Sequence, residues 1–411
     1  MRILHTADWH LGRTLEGRSR QEEHEKFVDE LCAIVRDEAI DLVLIAGDVF
    51  DSVNPPASAE ELYCEALARL GEGGRRAVVV IAGNHDSPDR LTAVRALAQR
   101  HGAVLFGYPY DDPGTHTPGP DRVQRVAAGP GWVELTVPGV DHPAVVLALA
   151  YPSESRLKQL LADTLGEEEL QSLYSDQVKG WLAAAARHFH PGAVRLVTSH
   201  IYMAGGAETS DVERPIHMGG AYTVYADAVP PGAQYVALGH LHRPQQIHGT
   251  AAVTRYSGSP LSFSFSETGY TKGVTVLELR PGDSAPALRE IPITAGRPLV
   301  RWEARGLAEV ERWVGEGKDP TAFIDLTIHL EHPLTLDQIH RLRTLRPDII
   351  HIRPVIPTVE EEVAVGGEEL QLSLQEKFIR FYQQERGGTP PDELVRLFLE
   401  LVSDQDEEGA E

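Results

Sequence analysis

Five apolar runs in this 411-residue chain end in side chains that bind divalent cations. They lead to Asp8-Trp9-His10, Asp48-Val49-Phe50-Asp51, Asn84-His85-Asp86, Ser199-His200 and His240-Leu241-His242. Carboxylates and imidazoles together suit intermediate divalent metals, and the amide of Asn84 adds an oxygen donor without adding charge. Asp8 and His10 are two residues apart, as are His240 and His242, and in an extended chain such residues share a face. A carboxylate has two oxygens, so Asp48, on the run expected to lie centrally, is the natural bridge between two ions. Glycines before Asp48, Asn84 and His240 suit tight turns and close backbone approach. Taken singly, each residue has a plainer reading. A strand-end aspartate is commonly a turn or cap residue, and a lone His200 is commonly a hydrogen-bonded structural group. Five coincident strand ends point instead to one shared site.

The elements that must carry these residues alternate strand and helix. "RILHTAD" reads as a strand, and "RQEEHEKFVDELCAIVRDEA" has Phe27, Leu31, Ile34 and Val35 at helical spacing. "DLVLIAGDVFD" and "RAVVVIAGNHD" are continuous apolar runs of the buried-strand kind. Between them, "SAEELYCEALARLGEG" is a helix with Ser58 as its expected N-cap. "PDRLTAVRALAQRHG" is a helix with Pro88 near its start and Gly102 as its stop. Such alternation implies sheets flanked by helices, with ligands gathering at the carboxyl ends of the strands.

Residues 111–143 are rich in glycine and proline, so loops and hairpin strands are expected there. "AVVLALA" resumes the sheet, and a helical insertion spans Ser153 to Phe189. "VRLVTSH", "QYVALGHLH", "VTRYSGSPLSFSF" and "GVTVLELR" are read as completing a second sheet. Residues 1–284 then form the core domain. Residues 285–360 read as a smaller α/β domain of strands and two short helices. A linker covers 361–369, and amphipathic helices cover 370–403. The first of these opens on a Ser373/Glu376 capping box, and the acidic tail is 404–411.

A formal net charge of −23 argues against a broad basic surface that grips nucleic acid unaided. It leaves room for a local basic groove or for a basic partner. Cys32 and Cys64 are too few for a disulfide framework and read as reduced core residues. The chain begins without a signal-peptide core and has no run long enough to span a bilayer, so a cytoplasmic location is expected.

The set D-x-H, G-D-x-x-D, G-N-H-D, a later histidine and G-H-x-H, spread over residues 8–242, resembles the calcineurin-like metallophosphoesterase superfamily. Within it, "MRILHTADWHLGRTLEG", "IAGDVFDS" and "YSGSPLSFSF" are similar to the SbcD family of nuclease subunits. The resemblance implies an α/β (α+β) fold: a two-layer β-sandwich core flanked by helices, with a small α/β capping domain and C-terminal helices. It implies one metal on Asp8, His10, Asp48 and His242, and a second on Asp48, Asn84, His200 and His240. The ions expected are two Mn²⁺, with Mg²⁺, Fe²⁺ or Zn²⁺ also compatible. His85 would protonate the leaving oxygen or stabilise the phosphorane, and Asp51 would orient it.

The implied activity is a DNA nuclease: a 3'-5' exonuclease on duplex ends and an endonuclease on single strands and hairpins. Its implied partners are DNA, through the capping domain, and an SbcC-type ATPase, through the C-terminal helices. A homodimer within an SbcC2-SbcD2 heterotetramer is also implied. The alternative is a phosphatase or small-molecule phosphodiesterase of the same superfamily. A scaffold that kept only the fold would usually have lost ligands. Arg13, Arg18 and Arg20 are read either as phosphate contacts or as a solvated loop. "SGSPLSFSF" is read as a substrate or dimer surface or as an ordinary loop. Histidines outside the five runs, such as His5 and His24, are expected to be surface or structural.

Overall fold

A computed structural model describes residues 1–152, 167–207, 222–356, 374–386, 388–391, 394–396 and 398. The apolar runs become two facing sheets. The first has six strands, in the order Ala287–Pro292, Gly273–Glu278, Arg2–Thr6, Leu42–Ala46, Ala77–Ile81 and Ala103–Phe106. The last four are parallel, and Gly273–Glu278 pairs antiparallel with Arg2–Thr6. The second has seven strands: Gln245–Ile247, Val253–Tyr256, Tyr235–Gly239, Val194–His200, Ala144–Leu149, Trp132–Thr136 and Gln124–Gly129. Its central strands Val253–Tyr256, Tyr235–Gly239, Val194–His200 and Ala144–Leu149 are mutually parallel.

Side chains of both sheets fill one core, with Ile3, Val79, Val146 and Leu196 all at 0 % exposure. On the outer side of the first sheet, the helix Gln21–Asp37 turns Phe27, Val28, Leu31 and Val35 inward. On the outer side of the second, Tyr174, Val178 and Leu182 of the helix Glu167–Ala186 join Val145, Val197 and Val236 in a separate core. The architecture is the expected two-layer sandwich.

Several expectations change in detail. Gly273–Glu278 belongs to the first sheet, not the second, and Ala144–Leu149 belongs to the second. Either choice buries the same apolar side chains, so strand composition does not choose the partner. The helix expected to be capped by Ser58 starts two residues earlier, at Ala57, with Pro56 in extended backbone as its N-cap. The segment after Pro88 breaks into Pro88–Thr92, Arg95–Ala98 and a tight turn, and it ends at Gly102 in the left-handed region as expected. Cys64 is exposed and is not a core residue.

The first compact unit runs from Met1 to Leu299, so the boundary falls beyond the expected 284/285. The physical reason is the edge strand Ala287–Pro292, which hydrogen-bonds along Gly273–Glu278. The second unit begins at Val300. Its strands Leu299–Arg305, Phe323–His329 and Ile349–Val355 form one sheet beside the helices Leu307–Gly315 and Leu336–Leu345. Its own core includes Trp302, Val310, Ile324, Leu326 and Leu342. A Thr335/Gln338 capping box opens the second helix. A further helix spans Leu374–Arg386, and Phe378 stacks on Phe398 at 4.1 Å between centroids. Ser373, the linker 361–369 and the tail 404–411 lie outside the described residues.

Candidate metal centre

All five ligand-bearing runs are parallel strands, and their carboxyl ends meet at one edge of the sandwich. The loop after Arg2–Thr6 runs along the loop after Leu42–Ala46. The Asp8 amide donates to the Gly47 carbonyl at 3.0 Å, and the His10 amide donates to the Asp48 carbonyl at 3.0 Å. The residue between each pair is turned into the core. Trp9, between Asp8 and His10, is buried against Phe27 and donates its indole N–H to Thr6. Leu241, between His240 and His242, is likewise fully buried.

The backbone is bent sharply where the ligands sit. Asp8, His10, Asp48 and His240 have φ of 56°, 47°, 48° and 107°, a region that non-glycine residues seldom occupy. Such strain costs about 1–3 kcal/mol per residue and clusters at functional sites.

The donor atoms converge in close pairs. His10 Nε2 and His242 Nε2 lie 3.1 Å apart. The far nitrogen of His242 lies 3.1 Å from the Glu267 carboxylate, so Nδ1 carries the proton and Nε2 presents a lone pair. His200 repeats the pattern: Nδ1 donates to the Ala46 carbonyl at 2.8 Å, and Nε2 faces Asn84 Oδ1 at 2.9 Å and Asp48 Oδ2 at 3.4 Å. Asp48 Oδ2 also lies 3.8 Å from His10 Nε2, so one carboxylate oxygen stands between the two groups of ligands. The other, Oδ1, accepts the His85 amide at 2.8 Å.

Three close sets form among the described residues: Asp8/His10/His242, Asp8/Asp48/His200 and His10/Asp51/His85, each with ligating atoms within 4.8 Å of one another. His240 is in none of these sets. Its ring meets that of His200 edge-on at 5.5 Å, and its amide donates to Asp8 Oδ1 at 2.9 Å. This donor set fits two divalent cations.

Burial sets the protonation states. It pushes His10 down to about 3 against the opposing pull of Asp51, and it holds His240 well below the ordinary imidazole range. It also lowers His242, with Glu267 resisting. All three are therefore neutral, which is the ligand form. His200 is the exception. Burial lowers it, but the Asp48 charge and hydrogen bond override burial and raise it to about 9. Burial opposes ionisation of Asp48, yet the facing His200 and His85 hold it well below the usual carboxylate range.

Asp51 does not orient His85 through its carboxylate as expected. His85 Nδ1 donates to the Asp51 backbone carbonyl at 2.8 Å, while the carboxylate lies 3.3 Å from His10 Nδ1 and takes Arg13 at 3.1 Å. Asp86 is buried and accepts the amides of Gly83, Val49 and Phe50, tying two ligand loops together. Burial first, and then Asp48, raises its carboxyl to about 7.

Arg20 is not a phosphate contact: it is buried and bound to Glu23 and the Ser262 carbonyl. Phe263 and Phe265 are buried too, so "SGSPLSFSF" is not an exposed substrate surface. Phe263 instead meets His10 and His242 edge-on at 5.2 and 5.7 Å, behind the ligands. The sequence reading missed Glu267 and Lys272 because no spacing links them to a ligand; only the fold brings them to His242. His5 and His24 are buried, as structural residues.

The calcineurin-like phosphoesterase profile matches residues 1–244, and a profile described as "Type 5 capsule protein repressor C-terminal domain" matches residues 295–386. The chain is 48% identical over 415 residues to the SbcD subunit of the nuclease SbcCD from Bacillus subtilis (strain 168), covering 100% of both chains. It is 38% identical over 326 residues to the corresponding protein from Rhodobacter capsulatus, covering 75% of this chain and 73% of that one. The Escherichia coli (strain K12) counterpart is 32% identical over 332 residues, covering 80% and 78%. Matched by profile over more than half its length and by a relative over all of it, the chain belongs to the SbcD nuclease subunits of the calcineurin-like phosphoesterase family.

Proposed function

We propose that the chain is the metal-dependent nuclease subunit of an SbcCD-type complex, hydrolysing DNA phosphodiesters in the processing of double-strand breaks. The observation that carries this reading is the set of facing donors at the strand ends, with Asp48 Oδ2 between His10 and His200. Asp8, His10, Asp48 and His242 would hold one cation, and Asp48, Asn84, His200 and His240 would hold the other. Two divalent cations, when bound, supply Lewis-acid charge against the phosphoryl oxygens and make a water acidic enough to attack near neutral pH.

The chain's own groups do the rest. Neutral His10, His240 and His242 offer lone pairs without a proton to displace, and Asp48 stays ionised. The Asp51 carbonyl holds His85 Nδ1–H, which leaves Nε2 to face substrate. In the imidazolium form, Nε2–H passes its proton to the leaving oxygen, and the neutral ring keeps Nδ1–H on the carbonyl.

Mn²⁺ is the metal proposed; the donor set also accepts Mg²⁺, Fe²⁺ and Zn²⁺. The finer reading is 3'-5' exonuclease action on duplex ends and endonuclease action on single strands and hairpins. It places the chain in the cytoplasm as a homodimer within an SbcC2-SbcD2 assembly, with the small domain contacting DNA. The family precedent and the acidic charge of −23 both favour a partner that shares DNA contact.

The test is a panel of linear duplex, hairpin, cyclic nucleotide and p-nitrophenyl phosphate with Mn²⁺ and the purified chain. DNA cleavage is expected. His85→Gln should bind Mn²⁺ normally and lose about 10²-fold or more in rate. Turnover of the monoester alone would overturn the reading.

A further inference from the structure

Behind His242 lies a closed polar cluster to which the hydrolytic chemistry assigns no task. Glu267 is fully buried, with Oε1 3.1 Å from His242 Nδ1 and Oε2 against Lys272 Nζ. Lys272 Nζ also donates to the His242 carbonyl at 3.1 Å and to the Ser259 hydroxyl at 2.6 Å. Glutamate and lysine therefore grip the same residue, one at its ring and the other at its backbone.

A buried ion pair is weak evidence of a stabilising role. Burying two charges is costly, and apolar residues of matching volume commonly serve a fold as well or better. The effect on the ring accounts for the pair. A carboxylate that accepts Nδ1–H fixes the tautomer, aims the ring and makes Nε2 a stronger donor. His10, across the 3.1 Å gap from His242, also has a carboxylate at its far nitrogen, that of Asp51. His200 has only the neutral Ala46 carbonyl. Of these three imidazoles, the two on the Asp8 side have a carboxylate at the far nitrogen, and His200 has a neutral carbonyl.

We propose that Glu267, charge-balanced by Lys272, is a positioning residue that makes His242 a strong metal donor, so that the Asp8–His10–His242 side is the tighter of the two cation sites. The inference rests on the two-cation reading above and assigns an order to its sites.

Calorimetric titration of the full chain with Mn²⁺ alone tests it. Wild type should bind two Mn²⁺ with separable affinities. Replacing the pair together, Glu267→Met with Lys272→Met, leaves no buried charge unpaired. It should weaken the tighter site by about 10–100-fold and spare the other. Glu267→Gln with Lys272→Met restores an acceptor for Nδ1–H and should recover part of that loss. A merely structural cluster would lower the melting temperature of both variants without this ordering of Mn²⁺ affinities.

A measurement without variants stands beside these. Crystals grown with one equivalent of Mn²⁺ should show the anomalous peak beside His242. A peak beside His200 alone, or folded variants with wild-type affinity at both sites, overturns the inference and leaves the two-cation reading intact. Wild type that binds fewer than two Mn²⁺ fails that reading itself, and the inference falls with it.

Discussion

Asp51 acts through two groups that serve different histidines. Its backbone carbonyl holds His85, and its carboxylate stands behind His10 with Arg13 as counter-ion. Truncation separates these roles, because Asp51→Ala removes the carboxylate and keeps the carbonyl. Affinity for Mn²⁺ should fall by about 10-fold or more through the loss of support for His10. At saturating Mn²⁺ the rate should stay well above that of His85→Gln. Metal titration combined with rates at saturation checks this. Equal rates for the two variants would assign the carboxylate itself to the proton transfer.

At the scale of elements, the site exists because strand ends from two sheets approach without side chains between them. A Cβ on Gly239 would lie 1.9 Å from the Ala46 carbonyl oxygen and 2.8 Å from His200 Nδ1. Gly239→Ala therefore has to push the two sheets apart. It should cost about 3 kcal/mol in chemical denaturation and weaken Mn²⁺ binding through His200. A variant of wild-type stability would show that this close approach is not needed.

His5 ties the same sheets from within: its ring nitrogens lie 2.9 Å from the Tyr235 hydroxyl and 3.1 Å from the Leu238 carbonyl. Burial lowers its pKa from 6.5 to about 3, so the folded chain keeps it neutral while the unfolded chain protonates below 6.5. Its contribution is complete above pH 6.5 and is lost as pH falls from there toward 3. His5→Gln should flatten the pH dependence of stability across that window. Denaturation series at several pH values read the slope, and slopes equal to wild type would refute the assignment.

The whole molecule divides into a unit that holds every proposed ligand and a second unit with a core of its own. Beyond the small sheet, Phe378 stacks on Phe398, while Phe381 is 60% exposed on the helix Leu374–Arg386. Apolar groups of this kind on C-terminal helices suit docking in a partner's groove. Deleting residues 370–411 should leave Mn²⁺-dependent hydrolysis of bis(p-nitrophenyl) phosphate unchanged and abolish capture of an SbcC-type ATPase. Capture that survives the deletion would move the docking surface elsewhere. Among the described residues, no helix is long and apolar enough to cross a membrane.

The sequence by itself determined the strands and the candidate ligands at their ends, because a buried strand is a local apolar run and a possible ligand pair is a local spacing. The spacings Asp8/His10 and His240/His242 were legible for that reason. Only tertiary structure decided which sheet takes Gly273–Glu278, since either choice buries the same side chains. It also decided that Arg20 is buried on Glu23, that Asp51 reaches His85 by its carbonyl, and that Glu267 and Lys272 stand behind His242. These are contacts between residues brought together by the packing of two sheets, and no local period records them.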